Sequence, residues 1–127
     1  MEDNPKRQRD MARLLVGTLA LIAKILEALP LRIGFPEIGP SLTATETMKR
    51  LERVRLDLID SQPISNHAKE LLKVMILEWY GLADICGQAV HAGASQRRLD
   101  TAEHQAELIG SASDHLAEEL GFPPFLE

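Results

Sequence analysis

Apolar residues recur at helical spacing along most of the chain, and no stretch shows the two-residue alternation of a strand. From Leu15, the positions Leu19, Ile22, Leu26 and Leu29 follow at intervals of four, three, four and three, the seam of a bundle helix. Beside it, Leu14, Thr18, Leu21 and Ile25 form a second stripe almost as apolar. Only Arg13, Gly17, Ala20, Lys24 and Glu27 are left as a strip suited to water. A helix apolar over so much of its circumference belongs in the centre of a fold, in a subunit contact or in lipid.

A second such helix carries Leu72, Met75, Ile76, Trp79, Leu82, Ala83, Cys86 and Ala89 on one side, with Val74, Leu77 and Ile85 widening the stripe. A third has a narrower seam of smaller residues: Leu99, Ala102, Ala106, Ile109, Ser113, Leu116 and Leu120. Helix signals divide the chain. Asn4 and Pro5 open the first helix and Pro30 closes it. Thr43 and Glu46 stand at capping-box spacing, and Pro63 breaks the helix they start. Ser65 or Asn66 caps a further helix ending at Gly93, and Ser95 caps the last, which ends at Gly121. The reading predicts one all-α domain, with helices over residues 5–29, 44–60, 66–92 and 96–120 folded as a four-helix up-down bundle.

The first helix is too short in apolar length to span a bilayer. Its uncharged run, Leu14 to Ala23, is ten residues, where a span takes about 20. Lys6, Arg7, Arg9 and Arg13 before an apolar block resemble an export signal, but Glu2, Asp3 and Asp10 interrupt the basic segment and no small-x-Ala cleavage site follows. Burial by protein is the remaining reading. Two helices with more than one apolar stripe exceed the needs of a single four-helix core, so a homodimer through an apolar helix face is expected.

Composition adds limits. With 127 residues, 45% of them hydrophobic and 26% charged, the chain can bury a core of its own. Aromatic residues are only 4%, so that core is aliphatic. A net charge of −5 offers no general attraction to nucleic acid or anionic lipid. The single cysteine, Cys86, rules out an internal disulfide framework and points to a reducing compartment, the cytoplasm.

Candidate chemistry is sparse. His67 with Glu70 and His115 with Glu118 share helix faces at i,i+3 spacing, and antiparallel packing of the last two helices would bring the pairs together as a metal site. His104 and Glu107 repeat the spacing. Arg98 stands six residues before His104, a spacing that resembles the Arg-x(4–6)-His pattern of the HEPN ribonucleases. That resemblance implies an RNA-cleaving helical dimer in which Arg98 and His104 act on the phosphate and the 2′-hydroxyl, although Leu99 replaces the polar residue usual after the Arg. Lys49, Arg50, Arg53 and Arg55 are balanced by Glu46, Glu52, Asp57 and Asp60 on the same helix, with Glu46–Arg50 and Arg53–Asp57 as expected ion pairs. Trp79 is expected in the core, with Gly81 allowing close helix approach. Outside the helices, Phe35, Phe122 and Phe125 join Pro- and Gly-rich segments that make good fixed contacts.

The sequence therefore points to a non-enzymatic protein–protein interaction module, an adaptor, regulator or inhibitor that needs no cofactor. It is expected to bind itself and another protein through Leu15, Leu19, Ile22, Leu26, Phe35, Phe122 and Phe125. Nucleic acid and membrane are not its expected partners. The alternatives are the HEPN-like enzyme and the His/carboxylate metal bundle.

Overall fold

Three hydroxyl side chains set the starts of three helices. Thr43 Oγ1 accepts from the Glu46 amide at 3.1 Å, Ser65 Oγ from the Ala68 amide at 3.1 Å, and Ser95 Oγ from the Arg98 amide at 3.2 Å. In the computed structural model, which describes residues 3–35 and 43–125, the helices are α1 (Asn4–Ala28), α2 (Ala44–Arg53), α3 (Asn66–Ala92) and α4 (Gln96–Leu120). No strand occurs among the described residues. Gly93 and Gly121 end α3 and α4 with φ of 101° and 74°, a region closed to most side chains.

Two boundaries differ from expectation. Asn4 does not cap α1: Asp3 takes the cap position without a side-chain bond, and Asn4 Oδ1 instead accepts from the Ala94 amide at 2.7 Å. The second helix does not continue as an α-helix to residue 60. It widens after Arg53 into a π-helical turn, Val54–Leu58, with the Ile59 amide bonded to the Val54 carbonyl at 3.0 Å. In an α-helix, residues 54 and 59 would stand about 140° apart around the axis. An i→i+5 turn swings Ile59 back toward the side of Val54, and both are buried.

The core lies among α1, α3 and α4. Leu19, Ile22, Ile25 and Leu26 of α1 meet Leu72, Met75, Ile76 and Leu82 of α3 and Ile109 and Leu116 of α4 in one buried cluster. Side-chain bonds fix the helix directions. Gln8 Nε2 donates to the Ala89 carbonyl at 3.3 Å and Trp79 Nε1 to the Leu15 carbonyl at 3.1 Å, so α1 and α3 run antiparallel. Ser65 Oγ donates to Glu119 Oε1 at 3.0 Å, which sets α4 antiparallel to α3. Asn4 and Arg7 both hold the backbone of Ala94, between α3 and α4, while Lys24 Nζ donates to the Phe125 carbonyl at 3.0 Å at the other end. α1 is thereby tied at both ends.

The long connection from α1 is held by an amide. Gln62, buried between α2 and α3, accepts from the Leu31 amide at 3.0 Å and donates to the Leu31 carbonyl at 2.6 Å. It satisfies both backbone groups of one residue. No helix among the described residues is long and apolar enough to cross a membrane.

Candidate functional site

The candidate surface begins with small residues. Ala12 of α1 and Ala83 and Gly87 of α3 leave room where the facing helices would otherwise interlock, and α2 bridges the gap with only Ala44 and Met48. The result is an apolar cleft of about 340 Å³ between α1, α2 and α3, walled also by Met11, Leu15, Trp79 and Val90. Three lining groups donate to backbone carbonyls: Trp79 Nε1 to Leu15, Gln8 Nε2 to Ala89, and Cys86 Sγ to Met11 at 3.6 Å. Burial pushes the Cys86 thiol up, so it stays protonated and packs as an apolar group. The cleft has the make-up of a receptor for an apolar group.

Past Met48, the seat of α2 turns polar. Arg55 is hydrogen-bonded to Glu52 and holds its carboxyl below the usual carboxylate range. Tyr80 of α3 faces this pair. Burial first, and the Glu52 carboxylate second, push the Tyr80 hydroxyl far up, and it has no hydrogen-bond partner among the described residues. Next to it, Tyr80, Asp84, His91 and Arg98 line an open recess of about 620 Å³. On the other flank of α2, Lys49, Arg50 and Arg53 surround a smaller recess of about 300 Å³ with Phe35. The expected Glu46–Arg50 and Arg53–Asp57 pairs are not formed; among the described residues the ion pair on this segment is Glu52–Arg55.

The residues singled out in the sequence fall in different places. Leu19, Ile22 and Leu26 are enclosed by the chain's own helices, out of reach of any partner, while Leu15 is half-buried at the cleft. Phe35 is half-buried against the core. Phe125 is buried and meets the exposed Phe122 edge-on, with ring centroids 6.1 Å apart. The rest of the two Pro-rich segments, residues 36–42 and 126–127, lies outside the described residues.

The alternative sites do not assemble. His67, Glu70, His115 and Glu118 all stand exposed, and no group of three His, Cys, Asp or Glu among the described residues is gathered to hold a metal ion. Arg98 donates to the Gly93 carbonyl at 3.0 Å and faces the recess, whereas His104 is exposed and lies about 120° further round α4. The two are not arranged around one phosphate. Carrying neither seam nor charge, Gly87, Ala12 and Met48 escaped the sequence reading. The available signal was the pair of small residues, Ala83 and Gly87, four apart on one face of α3.

Large apolar side chains also stand outside the core. Val74 and Leu77 on α3 and Leu108 on α4 are 43%, 49% and 39% exposed. No known family, no curated protein and no solved structure matches this chain.

Proposed function

We propose that this chain is a non-catalytic interaction module, an adaptor, regulator or inhibitor, built as an up-down helical bundle that pairs with a second copy. One observation carries the reading: the cleft between α1, α2 and α3 is apolar, and Trp79, Gln8 and Cys86 in its lining donate to the protein's own carbonyls. Such a lining favours an apolar group and offers no nucleophile or free acid–base pair. Neutral Nile red tests it. One dye is expected per native chain, and Gly87→Leu, which builds a side chain into the cleft wall, is expected to abolish binding. A native chain that takes up no dye would remove the cleft from consideration.

Pairing draws support from Val74, Leu77 and Leu108, apolar residues exposed on two adjacent helices. Their exposed positions make them better contacts than the enclosed stripe of α1. Light scattering is expected to give twice the chain mass of 14.1 kDa. Replacing Leu77 and Leu108 together by Lys is expected to return it to one chain without loss of helix. A wild-type mass of one chain at all concentrations would refute the pairing. The buried, protonated Cys86 suits a reducing compartment such as the cytoplasm.

A further inference from the structure

At Gly87 the cleft adjoins the polar recess. Met48, Ala83 and Gly87 line both the apolar cleft and the polar recess, so the two spaces share a wall. Gly87 keeps that wall low: beyond its own helix backbone and chain neighbours, no atom among the described residues lies within 4 Å of where its Cβ would stand. The polar groups of the recess are spread along α3. Asp84 lies toward one end, its Oδ2 accepting from Gln88 Nε2 at 3.4 Å. His91 is two turns further on, about 10 Å along the helix, and Arg98 joins it there from α4. The bond from Arg98 Nη1 to the Gly93 carbonyl orients the guanidinium. Its other N–H groups remain as donors, and among the described residues no carboxylate pairs with it.

We infer that the cleft and recess together bind a medium-chain monocarboxylate, with its alkyl chain in the cleft against Trp79 and its carboxylate at Arg98. The inference rests on the cleft being a receptor, as proposed above. Size selects the class. The cleft is near the lower limit for small-molecule sites, room for one alkyl chain. A partner helix would need anchors spaced over several turns. The lining is almost wholly apolar, while Arg98 in the recess supplies the one charged contact an amphiphile needs.

Decanoate, octanoate and decanol are the probes, followed by calorimetry and by emission of Trp79, the single tryptophan. One decanoate is expected per chain, with octanoate weaker by roughly tenfold for its two missing methylenes. Arg98→Gln is expected to weaken decanoate about tenfold and leave decanol unchanged. Gly87→Leu is expected to weaken both. It should fold, because its site is open and Leu suits a helix better than Gly. If decanol binds as tightly as decanoate and Arg98→Gln alters neither, the carboxylate inference falls while the cleft stands. If Nile red, decanoate and decanol all fail to bind, both readings fall. Decanoate affinity that drops as protein concentration rises would show a second copy in the cleft and overturn the inference.

Discussion

α3 and α2 pack against the same molecule on very different terms. α3 buries eight side chains over 27 residues, from Ala68 to Ala89, against both α1 and α4. α2 and its π turn reach the core through Thr47, Leu51 and Val54, with Ile59 just beyond, and most of the remaining surface is charged or exposed. The polar contacts here are peripheral: the Glu52–Arg55 pair lies within the segment itself, facing Tyr80, and the Gln62 clasp on Leu31 stands beyond its end. Stability is expected to be uneven in consequence, since local opening costs least where buried apolar contacts are few. The side of the cleft expected to yield first is the one carried by α2.

Native-state hydrogen exchange is the most direct way to break this comparison. The amides of Leu51 and Val54 should exchange through an opening that leaves Leu82 and Ile109 protected. Equal exchange free energies across α2 and α3 would show one cooperative unit and end the contrast.

Core truncation sharpens it with the largest single effect on stability. Leu82→Ala, at a fully buried α3 position, should lower global stability by about 2–5 kcal/mol in a denaturant melt. Leu51→Ala removes an equally buried side chain, yet its loss should appear mainly as faster exchange and protease cutting in α2, with a smaller shift in the global midpoint.

Gln62→Ala comes next. It removes the partner of both the amide and the carbonyl of Leu31, and should cost about 1–3 kcal/mol, whereas Gln96→Ala, at an exposed position, should cost far less. Gly17→Ala moves stability the other way. It adds a methyl to an open position on the water-facing strip of α1, with an expected gain of about 0.5–1 kcal/mol.

The smallest effect is that of pH on the join between α2 and α3. Lys73, bonded to Asp60 at 2.7 Å, holds that carboxyl below the ordinary aspartate value. Its contribution is therefore complete above the ordinary value and disappears as the pH falls through the lower, folded one. Asp60→Asn should flatten that part of the acid melting profile and leave neutral stability little changed, because the pair is exposed.

Much of the helix pattern was legible in the residues because it depends on neighbours in sequence. The strip Arg13, Gly17, Ala20, Lys24 and Glu27 is exposed along its whole length, and the seam of α4 from Leu99 to Leu116 turns inward. Thr43, Ser65 and Ser95 cap as their side chains suggest. Such features follow from 3.6-residue periodicity and from hydroxyls reaching amides three residues on.

Tertiary structure decided the rest. Which helix covers Ile22, whether Val74 faces in or out, and where Asn4 finds its partner at Ala94 depend on contacts far apart in the chain. So does the cleft. A cavity is the volume left over when side chains from three helices meet at one level, and Ala12, Met48 and Gly87 carry no local mark of that meeting. Periodicity tells a helix which side is apolar; only packing tells it what, if anything, fills the space beside it.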